Sequence, residues 1–248
     1  MQCVILAGGM GTRMRPLTNV LPKTLLPVGG RPFAWHQMHW LAAQGIDDAV
    51  YCIAHQGEQI RQYWATEPAP VRSLRYVDEE TELRGTGGAL RLALEERVLD
   101  ESFFVLYGDS FLPVEFAPVW NAFAAGGSPA LMTVLKNEGR WDRSNVICAG
   151  SRVSLYAKNA DPPTQARMQY IDYGLSVLRR DVIAGISETV FDLSDVFHRL
   201  SLEGQLAGFE VTERFYEIGS PEGLRDLEKY LEKQRASRAP ARRKRVRG

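Results

Sequence analysis

The chain has 248 residues, of which 45% are hydrophobic and 24% are charged. This length and composition fit one large globular domain, or a domain with a small appendage. Lysine and arginine balance aspartate and glutamate, with 30 residues of each charge, so no overall field favours a nucleic acid or an anionic membrane as a partner.

The first half of the chain alternates apolar runs with amphipathic stretches. The pattern predicts strands over residues 3–7, 47–55, 71–79 and 102–110, and helices over residues 33–45, 57–65 and 85–98. Strands that are apolar throughout and separated by helices are typical of a parallel sheet buried on both faces. We therefore expect an α/β fold with a mixed, mostly parallel sheet and helices on both faces.

The pattern changes after Asp109. It predicts helices over residues 116–127, 193–204 and 221–235, and strands over residues 129–135, 144–149, 152–158 and 168–179. Because few helices separate these strands, we expect antiparallel pairs to complete the sheet. The last predicted helix has a proline at its start, early acids and late bases, which suits the helix dipole.

The end of the chain is strongly basic. Residues 235–248 contain seven cations and no acid. We predict a folded domain over residues 1–235 and a disordered basic tail over residues 236–248. A solvated terminus is the expected role of the tail, and an acidic partner or a membrane surface is the alternative.

The three cysteines indicate the compartment. Cys3, Cys52 and Cys148 each fall in an apolar run, and the sequence has no C-x-x-C pair, so we expect free thiols in strands. Free thiols fit a reducing cytoplasm. No apolar stretch approaches the roughly 20 residues of a membrane-spanning helix, and the start of the chain lacks the basic residues of a signal peptide.

A glycine-rich turn, GGMGTR, follows the first predicted strand. A dinucleotide-binding loop would need a third glycine at Met14 and an acid about 20 residues later, and a P-loop would need G-K-[ST]; neither pattern is present. Gly8, Gly9 and Gly11 let backbone amides approach phosphate oxygens, and Arg13 adds a planar cation. Because ligands of open α/β sheets bind at the carboxyl ends of the strands, the turn predicts a polyphosphate site. The alternative is a tight turn with solvated arginines.

The segment LAGGMGTRMRPLTNVLPKTLLPVGGRP resembles the signature of the sugar-1-phosphate nucleotidylyltransferases, or NDP-sugar pyrophosphorylases. That signature reads L-A-G-G-x-G-T-R-L-x-P-L-T, then P-K-P, two hydrophobic residues and P-V-x-G-K/R-P. Met14 replaces its leucine and Thr24 replaces the proline after the lysine. Similar segments continue to about Leu224, and the size of the chain resembles the single-domain heptose-1-phosphate and mannose-1-phosphate guanylyltransferases.

The resemblance implies a Rossmann-like nucleotidyltransferase core, with residues 1–235 as the catalytic domain. The sequence has no hexapeptide repeat, so we expect no β-helix domain. The implied reaction converts an NTP and a sugar 1-phosphate to an NDP-sugar and pyrophosphate. The resemblance also implies three catalytic residues, which are Arg13, Lys23 and Asp109. Without the resemblance, Lys23 would be interpreted as a surface lysine.

The same resemblance implies that two glycine turns hold the nucleotide. The second turn, at residues 85–88, opens a predicted helix, where exposed backbone N–H groups and missing side chains suit a flat base. The implied nucleotide-binding residues are Leu6, Ala7, Gly8, Gly9, Gly11, Thr12, Arg13, Glu80, Gly85, Thr86, Gly87 and Gly108.

Glu80 is the candidate for reading the base. It lies five residues before the second glycine turn, where thymidine- and uridine-using relatives often have glutamine. A carboxylate only accepts hydrogen bonds, so it would suit the N1–H and N2–H₂ donors of guanine. The alternative is that the acidic run DEETE is a surface loop.

A magnesium site is expected at two acids. Asp109 ends a buried strand, where a carboxylate needs a cation, and it matches a Mg²⁺ ligand of the family. The second family acid lies in W-x-D-I-G-T-P; here FYEIGSP supplies Glu217, which is one methylene longer. The resemblance therefore implies Mg²⁺ as cofactor, with Asp109 and Glu217 as ligands.

The acceptor site departs most from the family pattern. MQYIDYGLSVL resembles the family strand I-N-A-G, with Asp172 for asparagine, Tyr173 for alanine and Gly174 retained. Lys158 is kept next to Ala157, which replaces a glutamate, and Asn145 replaces a glycine. The implied substrate-binding residues are Asn145, Lys158, Asp172, Tyr173 and Gly174. We expect an atypical acceptor, unless Lys158 and Asp172 form a buried ion pair instead.

The sequence leaves several functions open. The first is a Mg²⁺-dependent transferase that uses GTP with a heptose or mannose 1-phosphate. A cytidylyltransferase for a phosphocholine- or phosphonate-type acceptor is the alternative, with an aromatic and acidic box of Tyr170, Tyr173, Trp141 and Asp172. A uridylyltransferase for an amino-sugar 1-phosphate and a non-catalytic nucleotide-sugar-binding subunit remain. We expect a cytoplasmic protein without nucleic-acid partners or a membrane span, with a homo-oligomer as an open alternative.

Overall fold

The computed structural model describes residues 1–79 and 82–238. Its strands are β1 (Gln2–Leu6), β2 (Pro27–Val28), β3 (Arg31–Pro32), β4 (Asp48–Ile53), β5 (Ser73–Asp78), β6 (Ser102–Tyr107), β7 (Ser110–Phe111), β8 (Ala130–Lys136), β9 (Val146–Ala149), β10 (Arg152–Tyr156), β11 (Tyr170–Arg179), β12 (Leu206–Val211) and β13 (Tyr216–Glu217). Its helices are α1 (Phe33–Ala43), α2 (Gly57–Thr66), α3 (Gly85–Glu95), α4 (Phe116–Gly126), α5 (Pro162–Gln165), α6 (Arg180–Ala184), α7 (Leu193–Leu202) and α8 (Pro221–Arg238).

A nine-stranded sheet forms the centre of the fold, in the order β5-β4-β1-β6-β11-β8-β12-β10-β9. β5, β4, β1 and β6 are parallel neighbours, and β8 is parallel to β12. β11 runs antiparallel to β6 and β8, and β10 runs antiparallel to β12 and β9. The predicted mixed, mostly parallel sheet is confirmed, because β11 and β10 oppose the direction shared by the other strands.

Helices cover both faces of this sheet, as predicted. One hydrophobic cluster packs α1, α2 and α4 against the face that contains Cys3 and Ile5. A second cluster packs α3, α6 and α7 against the opposite face, which contains Val4 and Leu6. Successive residues of β1 therefore serve different layers, which explains why its sequence is apolar without alternation.

A third cluster ties α8 to the first glycine turn. Leu227 of α8 packs with Met14, Leu26, Phe111 and Ile218. These residues come from the turn that follows the glycines, the segment after Lys23, strand β7 and the position directly after β13. The C-terminal helix therefore supports the loops at the carboxyl edge of the sheet.

The structure adds elements to the predicted order and shortens others. β12 was not predicted, yet it lies between β8 and β10 in the sheet. α8 extends to Arg238, beyond the predicted domain boundary at residue 235. The remaining part of the predicted basic tail, residues 239–248, lies outside the described residues, as does Glu80.

The cysteines are free, as predicted. Cys3 and Cys52 are buried, and Cys148 is half-buried. Across residues 1–79 and 82–238, no helix has both the length and the apolar character that crossing a bilayer requires.

Candidate active site

A cavity of about 310 Å³ lies at the carboxyl ends of β1, β4, β5 and β6. It is lined by Leu6, Ala7, Gly8, Gly9, Gly11, Lys23, Thr24, Cys52, Glu79, Leu83, Gly85, Thr86, Ala89, Tyr107, Gly108, Asp109 and Asp192. Ten of the residues predicted from the sequence are in this wall: Leu6, Ala7, Gly8, Gly9, Gly11, Lys23, Gly85, Thr86, Gly108 and Asp109. The cavity therefore lies where ligands of open α/β sheets bind.

The first glycine turn owes its shape to close packing. Gly11 has a φ of +60°, and a Cβ atom there would lie 2.8 Å from Cγ2 of Thr18. The Thr18 hydroxyl donates to the Gly11 carbonyl at 2.8 Å. At Gly8, a Cβ atom would lie 2.8 Å from Oε1 of Glu79, whereas Gly9 is open within 4 Å. A side chain at Gly11 would therefore be strained and crowded, and one at Gly8 would displace the Glu79 carboxylate, whereas the backbone at Gly9 is free for a ligand to approach.

A 3-10 turn over Thr12–Met14 carries Arg13. The amide of Met14 donates to the Gly11 carbonyl at 2.9 Å. Because Met14 is buried in the α8 cluster, Arg13 and Thr12 are left on the exposed side of the turn. Neither of these two residues lines the cavity wall, but Arg13 reaches the charged centre next to it.

One cation pairs with the Asp109 carboxylate in the cavity wall, and a second cation lies close to the first. The Lys23 ammonium group forms an ion pair with Oδ2 of Asp109. A Cβ atom at Gly219 would lie 3.3 Å from both Nη2 of Arg13 and Nζ of Lys23. Gly219 thus leaves the space in which these two cations converge, and the three predicted catalytic residues are brought together.

Glu217 joins this centre through strand pairing. Glu217 of β13 lies opposite Ser110 of β7, and the amide of Ile218 donates to the Asp109 carbonyl at 3.0 Å. Although the Glu217 side chain is exposed, desolvation raises its pKa, and the Asp109 carboxylate raises it further. Lys23 and Arg13 act in the opposite direction.

The donor set of this centre fits a hard divalent cation. Asp109 and Glu217 both offer carboxylate oxygens, and they are close enough for the charge of Asp109 to raise the pKa of Glu217. Mg²⁺ prefers one or two carboxylates combined with phosphate oxygens and water. Within the described ranges, no group of three or more His, Cys, Asp or Glu side chains has the geometry of a metal site. A phosphate-containing ligand would therefore have to complete the coordination.

In the second glycine turn, two backbone amides that were predicted to face a base bond to the protein instead. The amides of Gly87 and Gly88 each donate to the Phe191 carbonyl at 3.0 Å. A side chain at Gly87 would collide with the Phe191 ring, and one at Gly88 would lie 2.5 Å from the Thr189 carbonyl. The expectation that these amides face a base is therefore wrong for Gly87 and Gly88, because the segment before α7 covers them.

Two acids of the cavity wall were missed. Glu79 is 7% exposed, and its Oε2 accepts from the Arg84 amide at 2.7 Å. Burial raises the pKa of Glu79. Asp192 accepts from the amide and the hydroxyl of Thr86 at 3.3 and 3.2 Å. The acidic run DEETE contains Glu79 but does not single it out, and nothing in the sequence relates Asp192 to Thr86.

On the acceptor side, β11 arranges Asn145, Asp172 and Gly174. The Asp172 amide donates to Oδ1 of Asn145 at 2.9 Å, and the Gly174 amide donates to Oδ1 of Asp172 at 2.9 Å. The register of β11 against β8 shifts between Asp172 and Ser176, and Gly174 has a φ of +97°. Burial raises the pKa of Asp172 to about 6, although the Gly174 amide and Lys158 lower it.

Lys158 follows β10 and is exposed. In the part of the chain that the structure describes, no ion pair joins Lys158 to Asp172, so the alternative of a buried pair is wrong. A Cβ atom at Gly174 would lie 3.7 Å from Cδ2 of Tyr107, which lines the cavity. On the acceptor side, Gly174 therefore adjoins the cavity at Tyr107.

Tyr173 lies elsewhere. Its side chain is 2% exposed and packs in the core on the face of the sheet opposite Asp172, 6.0 Å from the Phe215 ring centroid. Direct contact of Tyr173 with a substrate remains a prediction that this packing does not support. Tyr170 lies on the other face, and the Arg214 guanidinium lies 4.4 Å from the centroid of Trp141. The predicted aromatic box is therefore not assembled.

The family described as "Nucleotidyl transferase" matches residues 2–232 of this chain. The chain therefore belongs to the nucleotidyl transferase family. A mannose-1-phosphate guanyltransferase from Schizosaccharomyces pombe is 29% identical over 223 residues, which are 89% of this chain and 61% of the relative. A glucose-1-phosphate cytidylyltransferase from Salmonella typhimurium is 28% identical over 232 residues, covering 85% of this chain and 88% of the relative.

The fold has solved counterparts. The crystal structure of HddC from Yersinia pseudotuberculosis complexed with GMP-PN superimposes with a TM-score of 0.74 and 21% sequence identity. The match covers 93% of this chain and 99% of that chain. In contrast, the chain spans only about 61% of the length of the mannose-1-phosphate guanyltransferase that it matches.

Proposed function

We propose that the protein is an enzyme that transfers a nucleotidyl group from an NTP to a sugar 1-phosphate and releases pyrophosphate. The observation that carries this proposal is the ion pair of Lys23 with Asp109, which has Arg13 close to Lys23 and lies in the wall of a cavity with an open glycine backbone. The Asp109 charge also acts on Glu217. Two cations and two carboxylates at one point suit a reaction in which anions must meet and an anion must leave.

The reaction proceeds by in-line attack. An oxygen of the acceptor phosphate forms a bond with the α-phosphorus, and the bond to the bridging oxygen of the β-phosphate breaks with pyrophosphate taking the electron pair. A phosphate monoester is already anionic near neutral pH, so the chain needs no strong general base. Its task is to orient the two phosphates and to offset their repulsion.

Each charged residue has a separate part in that task. Arg13 stabilises charge on the leaving pyrophosphate, and the open backbone at Gly9 donates to phosphate oxygens. Lys23 neutralises the α-phosphate once substrate competes for its ion pair with Asp109. Asp109 and Glu217 would hold Mg²⁺, which when bound offsets phosphate charge as a Lewis acid. Lys158 neutralises the acceptor phosphate.

The relatives suggest which sugar 1-phosphates to try first. Those named above act, by their names, on mannose 1-phosphate and glucose 1-phosphate, with guanine and cytosine nucleotides. We take mannose 1-phosphate with GTP as the first pair and a heptose 1-phosphate as the second acceptor. The occupied face of Trp141 disfavours a cationic head group such as choline, because its aromatic surface already binds Arg214. Buried free thiols support a reducing, cytoplasmic setting.

Pyrophosphate release with a panel of substrates tests the proposal. Each of GTP, CTP, UTP, dTTP and ATP is incubated with mannose, heptose, glucose and N-acetylated sugar 1-phosphates, with Mg²⁺ and with EDTA. We expect release that needs both an NTP and a sugar 1-phosphate, and an NDP-sugar identified by mass spectrometry. Tight nucleotide binding without turnover in any combination would instead support a non-catalytic regulatory subunit.

A further inference from the structure

Gln37 of α1 holds the turn that carries Asp109. Its Nε2 donates to the Tyr107 carbonyl at 3.0 Å and to the Ser110 carbonyl at 2.8 Å, so both hydrogens of one amide group are used. These two carbonyls lie on either side of Gly108 and Asp109. Because both partners are acceptors, the nitrogen of the amide group must face them. Gln37 is 2% exposed, so water does not compete for these hydrogen bonds.

The oxygen of the same amide group shows that packing alone does not explain this residue. Within residues 1–79 and 82–238, Oε1 of Gln37 has no hydrogen-bond partner, although the atom is buried. A buried acceptor without a donor destabilises the folded state. A methionine of similar length would avoid this cost. The two hydrogen bonds to the turn are therefore what glutamine contributes here and an apolar side chain cannot.

Backbone hydrogen bonds hold the Asp109 turn from two other sides. The Gly108 amide donates to the Leu6 carbonyl of β1 at 2.8 Å. The amide of Ile218, directly after β13, donates to the Asp109 carbonyl at 3.0 Å. Gln37 adds the support from α1, and it is a side chain, so it can be changed without altering the backbone of the turn.

Helix α1 also contacts the segment that follows Lys23. The Phe33 amide donates to the Leu26 carbonyl at 2.9 Å. Nε2 of His36 lies 2.8 Å from the Val28 carbonyl, and it donates this hydrogen bond because a carbonyl only accepts. One helix therefore bonds to the segments on both sides of the Lys23 ion pair.

We propose that Gln37 is a positioning residue that sets the place of the Asp109 carboxylate relative to Lys23. The inference rests on the proposed nucleotidyl transfer and adds a residue that serves it without touching substrate. Groups of an active site must be held within about 0.5 Å of their productive geometry, and a helix holds them more firmly than a loop. Because in-line transfer depends on the alignment of two phosphates, displacement of Asp109 lowers the rate more than the affinity.

Gln37→Met removes both donors at nearly constant size. We expect kcat to fall about 10- to 100-fold, because misplacing an active-site group by about 1 Å has an effect of this size. The KM values for the NTP and the sugar 1-phosphate should stay within about 3-fold of wild type, since a group that acts in the transition state is affected. Steady-state pyrophosphate release measures these constants.

Gln44→Met is the matched control. Gln44 directly follows α1, and its Oε1 accepts from the Phe116 amide at 3.1 Å. The change therefore also removes a side-chain hydrogen bond to the backbone, away from the Asp109 turn, and should leave kcat as in the wild type. Equal losses of kcat in Gln44→Met and Gln37→Met would mean that only a general loosening of the fold matters, which contradicts the proposal.

A double-mutant cycle shows whether Gln37 acts through Asp109. In the Asp109→Asn background, Gln37→Met should change kcat by less than about 3-fold, because the carboxylate that Gln37 places is no longer there. A further loss as large as the one in the wild-type background overturns the proposal, since Gln37 would then act independently of Asp109.

Hydrogen exchange followed by mass spectrometry observes the turn without any turnover. In Gln37→Met, peptides that contain the Gly108 and Ile218 amides should exchange about 10-fold faster, whereas in Gln44→Met the faster exchange should be at Phe116. Unchanged exchange in the turn removes the role of Gln37 even if the transferase is active. If no NTP reacts with any sugar 1-phosphate but exchange changes as expected, the support of the turn by Gln37 stands and the transferase proposal fails.

Gln37→Asn decides the question if Gln37→Met does not fold. It keeps an amide group that is one methylene shorter, so it cannot reach both carbonyls, and kcat should fall by about 5-fold or more. Urea unfolding of each variant establishes that it is folded. Wild-type turnover of a folded Gln37→Asn protein would show that Asp109 does not need this support.

Discussion

The nucleotide side and the acceptor side of the site are built by different means. On the nucleotide side, short stretches that follow β1, β5 and β6 converge because parallel strands end at one edge of the sheet. On the acceptor side, Asn145 directly before β9 accepts from the amide of Asp172 in β11, next to a register shift of β11 against β8. Local motifs therefore predict the nucleotide side well, whereas the arrangement of the acceptor side depends on strand pairing.

The two sides also differ in how tightly packing constrains them. Gly8, Gly11 and Gly219 each lie where a side chain would approach a neighbour too closely. The acceptor side instead carries an electrostatic penalty, since burial raises the pKa of Asp172. A phosphate cradle needs the same amides and cations for every nucleotide, while an acceptor pocket must fit one partner. We therefore expect mutations on the two sides to affect different kinetic constants.

The largest effect is expected for Asp109→Asn. This change removes the charge that pairs with Lys23 and that would ligate Mg²⁺, so kcat should fall by about 1,000-fold or more. Asp181→Asn is the matched control, because Asp181 pairs with Arg179 on the surface. Steady-state kinetics and circular dichroism of both variants measure activity and folding. Near-normal turnover of a folded Asp109→Asn protein would remove this residue from the catalytic centre.

Arg13→Gln should have the next largest effect, with a decrease in kcat of roughly 100-fold through lost stabilisation of the leaving pyrophosphate. Arg15→Gln changes the same residue type two positions away and should stay within about 3-fold of wild type. Pyrophosphate-release kinetics compare the two variants. Equal losses in both would mean that general positive charge, and not the position of Arg13 beside Lys23, matters.

Lys158→Gln should act on the acceptor alone. We expect the KM for the sugar 1-phosphate to rise about 10-fold, because one charged contact to the acceptor phosphate is lost, with little change in the KM for the NTP. Lys136→Gln, at an exposed position at the end of β8, is the control. An increase in the NTP constant of similar size would contradict the division into two sides.

The smallest effect concerns stability. The folded-state pKa of Asp172 is raised from 3.8 to about 6, so the folded state binds this proton more tightly than the unfolded state. Stability from this group is therefore present below pH 4 and lost as the pH rises through 6. Asp172→Asn should be more stable than wild type at pH 8 by about 1 kcal/mol, and this advantage should shrink at pH 4. Urea unfolding at both pH values measures it, and an advantage independent of pH would argue against a buried, ionised Asp172.

Much of the fold follows from hydrophobic pattern alone. β1 and β6 are apolar throughout because each packs against helices on both faces, and this pattern is visible in the chain. β12 was missed because LAGFEV is short and contains a glycine, so its place in the sheet depends on its neighbours β8 and β10. Its partners come from distant parts of the chain, and no local pattern records them.

In the candidate site too, local sequence patterns do not show which individual residues come into contact. Glu80 lies outside the described residues, so its role as base reader stays a prediction. Its neighbour Glu79 lines the cavity together with Asp109 and Asp192, and the acidic run alone does not single out Glu79. The contact of Gly87 and Gly88 with Phe191 was likewise hidden, since about a hundred residues separate the two segments. The resemblance implied Tyr173 as a substrate contact, and the sequence of β11 alone does not show that this side chain packs in the core.

Residue types alone set the chemistry that is available to this chain. The glycines after β1, the cations Arg13 and Lys23, and the acid Asp109 at the end of a buried strand are local features, and their character does not depend on the rest of the chain. Which of these groups meet depends on the packing of distant strands. The pairing of β7 with β13 brings Glu217 to Asp109, and the end of β5 turns Glu79 toward Gly8. The physical reason is that a residue type sets charge and hydrogen-bonding capacity, whereas distance and desolvation arise only when remote strands pack together.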